Sequence, residues 1–166
     1  MSAIERLDQL YERPGFLLRR THQIFVSILE AEFAAAGLSP PQYAVLVALN
    51  ERKDLTQGDL APALGMNKVS ISQIVQTLER KEWLVRRPDS RDKRLLRLAL
   101  TPEGRKLLRK TSAMAESTYR AQLAPLDEQE RALFMDLLKR LVTELEPHAR
   151  TAFRPLPPRR RRNQAV

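Results

Sequence analysis

The chain has 166 residues, a length that fits one ordinary domain with a sizeable core, and 43% of its residues are hydrophobic and 30% charged. No apolar run approaches the length of a membrane span and the N-terminus does not resemble a signal peptide, so we expect a cytoplasmic chain with no membrane association. The absence of cysteine excludes disulfides, thiolate metal ligands and thiol redox sensing. The net charge of +9 does not by itself indicate a partner, because six arginines and no acid in residues 150–166 account for most of it.

Two helices are predicted in the N-terminal part of the chain. Residues 14–36 place apolar side chains at helical intervals, and Gly37 ends this long helix. A second helix begins at Ser39 and Pro40 and ends in the charged residues 50–54. Each has an apolar stripe, so we expect both helices to be half-buried.

Two further helices follow in close succession. Thr56 is a suitable N-cap for a short helix with Asp59 in its first turn, although Pro62 lies inside that helix. Asn67 is a suitable N-cap for the next helix, which is predicted to reach about Lys81.

A hairpin and two more helices complete the pattern. The first strand begins at Val85, residues 88–93 form the loop, and residues 96–100 form the returning strand. Residues 101–119 and 127–147 are predicted to be helical. The fold class is therefore mainly α: a winged helix-turn-helix with one two-stranded β-wing, set between long N- and C-terminal helices.

The helix that follows Asn67 has a polar outer face that can enter a DNA major groove. Its outward side chains are Val69, Gln73, Gln76 and Arg80. The glutamines can pair with adenine, Val69 can contact a thymine methyl, and Lys68 with the neighbouring serines can bind phosphates. An ordinary solvated helix face has the same composition, so this pattern alone leaves both interpretations open.

The hairpin concentrates positive charge. Residues 80–110 contain twelve Lys/Arg against four Asp/Glu, a net charge of +8, whereas residues 1–79 and 111–149 together carry −5. Such a loop is expected to lie along phosphates or to place an arginine in a narrow minor groove. Asp89 and Asp92 are expected to hold the loop in shape by pairing with arginines, which leaves Arg91 at the tip.

Two stretches carry a family resemblance. The segment DSRDKRLLRLALTPEGRKLL at 89–108, preceded by LERKEWLVRR at 78–87, resembles the wing region of MarR-family transcriptional regulators. The shared features are an Asp-x-Arg-Asp-x-Arg wing and a following Leu-Thr-x-x-Gly, and the resemblance covers roughly residues 10–149. The sequence departs from the family at Glu82, where a glycine usually ends the recognition helix. A left-handed glutamate costs on the order of 1 kcal/mol, or the helix ends differently.

The resemblance implies roles for individual residues. It makes Arg91 the minor-groove contact and places residues 67–76 at the start of the recognition helix. Together with the polar helix face, it predicts DNA contacts by Asn67, Lys68, Val69, Ser70, Ser72, Gln73, Gln76, Arg86, Arg91 and Lys93. Structural roles in the wing are expected for Asp89, Asp92 and Arg94.

The resemblance also implies a nucleoid-associated homodimer on a pseudo-palindromic double-stranded operator. Similar regulators repress nearby genes, often their own, until a small ligand binds. The first and last helices carry more apolar surface than a lone winged domain can cover, which agrees with a dimer. The domains are then residues 1–36 and 102–149 for dimerisation, 37–101 for DNA binding, and 150–166 as a disordered Pro/Arg-rich tail.

A ligand site is predicted on the first two helices. The candidate residues are Arg19, Arg20, His22, Gln23 and Tyr43. Two arginines suit a carboxylate or phosphate, and the habits of the family favour an aromatic carboxylate or its coenzyme A thioester. The alternative is that these are solvated or intersubunit polar residues. No metal or other cofactor is expected, because neither histidine belongs to a compact His/Asp/Glu cluster.

The sequence is compatible with three roles for the C-terminal tail. The tail can add salt-sensitive attraction to DNA through residues 159–162, present a polyproline ligand at 154–159, or act as a passive solubilising segment.

A sequence-specific repressor is the leading function, and an architectural DNA binder without an effector is the alternative. An enzyme is disfavoured because the chain has no Gly-x-Ser-x-Gly, phosphate-binding glycine loop or cysteine nucleophile.

Overall fold

A computed structural model describes residues 5–157. Its α-helices are α1 (Leu7–Tyr11), α2 (Pro14–Phe33), α3 (Pro40–Glu51), α4 (Gln57–Ala63), α5 (Lys68–Arg80), α6 (Pro102–Gln122) and α7 (Glu128–Leu145), and its strands are β1 (Leu84–Pro88) and β2 (Leu96–Leu100). Single 3₁₀ turns at Ala34–Ala36 and Glu146–His148 extend α2 and α7. The predicted fold class is confirmed: α4, α5 and the hairpin form a winged helix-turn-helix between long helices.

The predicted element boundaries hold with small differences. The short helix α1 was not predicted. The first long helix turns from α to 3₁₀ geometry after Phe33, before Gly37 in the left-handed region at φ 60°. Helix α6 ends at Gln122, three residues after the predicted end at Tyr119. The α-helical part of α7 ends at Leu145 rather than Pro147.

The starts of α4, α5 and α6 are capped as their sequences predict. Thr56 and Asp59 form a reciprocal capping box at α4, and Asn67 Oδ1 accepts from the Ser70 backbone N–H at 2.8 Å. Thr101 Oγ1 accepts from the Gly104 backbone N–H at 3.0 Å. Each cap satisfies a helix N–H that has no partner within its own helix.

Three helical segments end with the same left-handed turn, namely α2 with its 3₁₀ turn, α4 and α5, whereas α3 ends in extended backbone at Arg52. Gly37, Gly65 and Glu82 have φ of 60°, 60° and 58°. After α5, Trp83 N–H donates to the Leu78 carbonyl at 3.0 Å and Glu82 N–H donates to the Glu79 carbonyl at 2.9 Å, the two bonds of a Schellman motif. Of the two endings considered for α5, the structure therefore has the left-handed glutamate, in a conformation that favours glycine.

The hydrophobic core joins the helix pair to the wing. The largest fully buried apolar side chains are Phe33, Leu46, Leu60, Ile71, Leu78, Leu84 and Leu98. They come from α2, α3, α4, α5 and both strands, so the wing is anchored in the same core as the recognition helix. The strands pair antiparallel from Leu84↔Leu100 to Pro88↔Leu96, and Leu98 N–H donates to the Leu55 carbonyl at 2.8 Å.

The Leu-Thr-x-x-Gly motif joins the end of α5 to the start of α6. Thr101 Oγ1 also donates to the Glu82 carbonyl at 2.7 Å, and Thr101 N–H donates to the Trp83 carbonyl at 3.2 Å. A Cβ at Gly104 would lie 2.0 Å from the Trp83 carbonyl oxygen. Glycine is required at position 104 because α6 packs directly on this backbone.

The first part of the segment that was expected to be disordered, residues 150–157, contacts the rest of the chain. Arg154 N–H donates to the Pro62 carbonyl at 2.8 Å, and the half-buried Leu156 packs against the core. A short run of prolines can dock on a preformed surface although it cannot form a core of its own. Residues 159–162 lie outside the described residues.

Candidate nucleic-acid interface

Helix α5 presents the polar face that the sequence predicts. Ile71, Val75 and Leu78 are fully buried. The outward side chains Val69, Gln73, Gln76 and Arg80 are exposed, and Ser70, Ser72 and Thr77 at their flanks are half-buried. Val69 is 68% exposed although it is apolar. Helix α4 packs beside α5 and leaves this face open, which is the arrangement needed to enter a major groove.

Asp89 organises the loop of the wing. Its Oδ1 accepts from the backbone N–H groups of Arg91 at 2.8 Å and Asp92 at 3.0 Å, and its Oδ2 accepts from Arg97 Nε at 2.7 Å. These bonds lower the pKa of Asp89 to about 2, the backbone N–H of Asp92 contributing most. The wing therefore keeps this carboxylate ionised throughout the physiological pH range.

The acids hold the loop differently from the predicted pairing. Asp92 Oδ1 accepts from the backbone N–H of Arg94 at 2.9 Å. The aspartates thus bind mainly backbone N–H groups, and the arginine that pairs with Asp89 comes from β2 instead of the loop. Within residues 5–157, the side chains of Arg91, Lys93 and Arg94 form no ion pair, and all three are exposed.

Arg97 is a structural residue of the wing that the sequence analysis did not single out. Besides its pair with Asp89, it donates through Nη1 to the Asp54 carbonyl before α4. The hydrogen bond with Asp89 is the main cause that raises the pKa of Arg97. It thereby ties the wing loop to the helix pair. Its position on β2 gave no signal of this, because the partners are 8 and 43 residues away.

Arg86 lies apart from the other residues predicted to contact DNA. Its Nε is 3.3 Å from Glu79 Oε2 on α5, and its side chain is mostly covered. Strand β1 therefore directs Arg86 toward the recognition helix, where the ion pair braces β1 against α5. Arg87, the next residue, lies on the opposite face of the strand and is exposed.

The structure separates the predicted ligand residues into two places. Arg20, His22 and Gln23 line a shallow cavity of about 430 Å³ on α2 with Val26 and Ser27. Arg19 lies over the Phe16 ring, 5.0 Å from its centroid. Tyr43 packs instead against Phe33, with ring centroids 5.1 Å apart. Within one chain, Tyr43 and the arginines of α2 therefore do not line a common cavity.

Tyr43 belongs to a larger and more apolar cavity of about 490 Å³. This cavity is lined by Leu29, Pro40, Tyr43, Ala44, Val47, Ala48, Glu51, Leu64, Tyr119 and Leu156. Burial is the main cause that raises the pKa of Tyr119, with smaller contributions from Tyr43 and Glu116. None of the ten lining residues is a cation. The sequence analysis missed Tyr119 and Leu156, which reach the cavity from α6 and from the C-terminal segment.

Residues 5–157 contain no group of three or more His, Cys, Asp or Glu that could hold a metal ion. No helix in that part of the chain is both long and apolar enough to cross a bilayer.

A capped recognition helix braced by α4, with a basic wing anchored in the same core, defines a winged helix-turn-helix DNA-binding protein. Comparison with known proteins specifies the class further. The sequence model of the MarR family matches residues 36–95. The chain belongs to the MarR family of transcriptional regulators.

Individual relatives agree with this assignment. The transcriptional repressor NicR of Pseudomonas putida is 27% identical over 131 residues, which make up 79% of this chain and 83% of NicR. The structure of the regulator PcaV from Streptomyces coelicolor, in complex with its natural ligand, is 30% identical with a TM-score of 0.74, covering 88% of this chain and 100% of PcaV. The DNA binding of Bordetella bronchiseptica BpsR is regulated by 6-hydroxynicotinic acid. The BpsR structure matches this chain with a TM-score of 0.75 and 27% sequence identity, covering 79% of this chain and 94% of BpsR.

Proposed function

We propose that the protein is a dimeric, sequence-specific repressor that leaves its operator when a small aromatic ligand binds. The observation that carries this proposal is the polar, exposed face of α5 beside a wing whose tip cations have no ion-pair partner within residues 5–157. A solvated helix face explains the glutamines, but it does not explain cations held at the tip of a loop that an aspartate organises.

The proposed DNA contacts divide into base reading and phosphate binding. Gln73 and Gln76 read adenine in the major groove, and Val69 contacts a thymine methyl, which accounts for its exposure. Lys68, Ser70 and Ser72 bind phosphates near the start of the helix. Asn67 acts mainly as the N-cap that orients this end.

The wing contributes the second set of contacts. Arg91 enters the minor groove and Lys93 binds the adjacent backbone. Asp89, Asp92 and Arg94 shape the loop that carries them. Arg86 acts indirectly in this proposal, because its ion pair with Glu79 sets the angle between wing and recognition helix.

Exposed apolar faces support the proposed homodimer. Helix α7 exposes Leu133, Leu137, Leu141, Val142 and Leu145, and α1 and α2 expose Leu7, Leu10, Tyr11, Leu17, Leu18, Ile24 and Ile28. So many large exposed apolar side chains on two ends of one chain are typical of an interface. Residues 1–36 and 102–149 then form the dimerisation domain around the DNA-binding domain, 37–101. Two-fold symmetry predicts a pseudo-palindromic operator.

The cavity beside Tyr43 is the proposed effector site. Its volume of about 490 Å³ lies in the range of small-molecule sites, and its lining is mostly apolar and includes two tyrosines. The regulation of BpsR DNA binding by 6-hydroxynicotinic acid favours an aromatic acid. The carboxylate of such an acid must face the open side, since the lining has no cation. A coenzyme A thioester would leave its nucleotide outside.

Titration with the DNA upstream of the gene tests the function. A repressor binds this fragment as a dimer and resists excess random duplex, whereas an architectural protein loses the fragment in proportion to competitor. Aromatic acids and acyl thioesters are then screened for release of the bound fragment. Loss of the fragment to equal amounts of random DNA would contradict sequence-specific repression and favour the architectural alternative.

A further inference from the structure

The C-terminal segment 149–157 returns from the end of α7 to the helix-turn-helix. Phe153 N–H donates to Glu146 Oε1 at 2.6 Å, which turns the chain back just after α7. The next residue, Arg154, donates its N–H to the Pro62 carbonyl at 2.8 Å. Pro62 lies in the last turn of α4, and its carbonyl also accepts from Gly65 N–H at 3.3 Å, so Arg154 N–H is a second donor to the same oxygen.

Side chains of the same segment pack on both sides of that hydrogen bond. Phe153 lies against Gly65 in the turn between α4 and α5, with its Cβ 3.7 Å from where a Cβ of Gly65 would be. Leu156 packs on the core and forms one wall of the apolar cavity, opposite residues of α2, α3 and α6. One short segment therefore contacts both the turn that positions the recognition helix and the cavity.

We propose that residues 149–157 form a strap in which Leu156 determines what the cavity admits, and that a ligand filling the cavity displaces the strap from the turn at Gly65. This inference rests on the proposed function, because it assigns a regulating element to the same effector site. Leu156 is separated from Arg154 by one residue and from Phe153 by two. Moving it outward therefore pulls on the contacts at Pro62 and Gly65.

The chemistry of the cavity indicates the class of ligand that competes with Leu156. The lining is mostly aliphatic and aromatic, and its polar members are Glu51, Tyr43 and Tyr119. A compact aromatic ring with a hydroxyl or ring nitrogen satisfies both features, and its ring replaces the isobutyl group of Leu156. A ligand that must place a negative charge inside the cavity is disfavoured, because no cation in the lining offsets the cost of removing that charge from water.

Thiol labelling of the full-length chain tests whether Leu156 is seated. The natural chain has no cysteine, so Leu156→Cys and the exposed neighbour Pro155→Cys each carry one reactive thiol. We expect a thiol reagent to modify Leu156→Cys roughly tenfold more slowly than Pro155→Cys in the folded protein, and at equal rates in urea. Equal rates in the folded protein would overturn the strap.

Displacement is tested with 1-anilinonaphthalene-8-sulfonate as a probe of apolar cavities. Leu156→Ala should bind the probe several-fold more tightly than Pro155→Ala and the natural chain. Saturating probe should also accelerate labelling of Leu156→Cys, but not of Pro155→Cys. If Leu156→Ala leaves probe affinity unchanged, or if bound probe leaves the labelling rate unchanged, the gating role is wrong.

Two truncations separate the strap from the proposed function. Removal of residues 158–166 retains the strap and should leave probe binding unchanged, whereas removal of 149–166 should raise probe affinity and increase amide exchange in residues 64–67. The opposite pattern would overturn the strap. Loss of operator binding by the natural chain, with protected Leu156→Cys, would instead contradict only the repressor function.

Discussion

Asp89 and Arg97 lie at opposite ends of the wing loop, and the Asp89 carboxylate accepts from Arg97 Nε at 2.7 Å. The same carboxylate caps the backbone N–H groups at the loop tip, and Arg97 donates to the carbonyl of Asp54. One ion pair thus connects the tip of the wing to the segment before α4. Asp89 forms its ion pair with Arg97 and not with the cations at the loop tip. The loop therefore holds those exposed cations in a defined position without neutralising their charge.

The low pKa of Asp89 predicts an acid-dependent loss of stability. Its pKa is about 2 in the folded chain and near 3.8 when unfolded, so the ionised carboxylate stabilises the fold above about pH 4, and this contribution is lost as the pH falls to 2. Asp89→Asn should therefore lower the urea midpoint by much more at pH 6 than at pH 2, where about half of the folded-state carboxylate is already protonated. The matched control is Asp136→Asn, on an exposed side chain of α7. A constant deficit at both pH values would contradict the ion pair as its cause.

Arg91→Ala should weaken DNA binding on every sequence. An arginine in a narrow minor groove lies close to the phosphates of both strands, so its loss lowers the slope of log affinity against log salt by about one. Fluorescence anisotropy between low and moderate salt measures this slope. Lys139→Ala, which removes an exposed cation from α7, should leave the slope unchanged. An unaltered slope for Arg91→Ala would show that the wing tip does not bind phosphate.

Gln73→Ala should change specificity more than general affinity. Removing a paired hydrogen bond to one base costs roughly 1–3 kcal/mol on the preferred operator and little on random DNA. Binding to a set of operators with single base-pair changes should show relaxed preference at one or two positions. Gln129→Ala on the exposed side of α7 is the control. An equal loss on operator and random duplex would refute base reading by Gln73.

Glu82→Gly should stabilise the protein. The left-handed conformation at φ 58° costs an L-residue roughly 1 kcal/mol, and glycine removes most of that cost. The free energy of unfolding from urea titration should rise by up to about 1 kcal/mol. Gly104→Ala should act in the opposite direction by roughly 1–3 kcal/mol, because its Cβ collides with the Trp83 carbonyl. No gain for Glu82→Gly would mean that its side chain contributes a compensating interaction.

Leu141→Glu should dissociate the proposed dimer. Leu141 is 46% exposed in the single chain and lies on the apolar face of α7, so a charge there opposes burial against a second copy. Sedimentation should show the dissociation constant rising by more than about tenfold, which corresponds to roughly 1.4 kcal/mol. Lys139→Glu, two residues away on an exposed polar position, is the control. A monomeric natural chain would contradict this interface at once.

The helices, the hairpin and the polar face of α5 could be predicted from the sequence because their determinants are local. Thr56 with Asp59 and Asn67 with Ser70 are capping partners three residues apart. Apolar periods of 3.6 and 2 likewise act within one element. The family resemblance marked Glu82 as the residue in a glycine position, although only the backbone shows that α5 ends there in the left-handed turn.

Tertiary structure decided the features whose partners are distant in the chain. Arg86 pairs with Glu79 on a neighbouring element, Arg97 reaches the carbonyl of Asp54, and Leu156 meets a cavity built from α2, α3, α4 and α6. Composition marked the C-terminal segment as unable to form a core, yet a surface formed elsewhere holds its first part. Periodicity tells which side of an element is buried, but it does not tell which element covers that side.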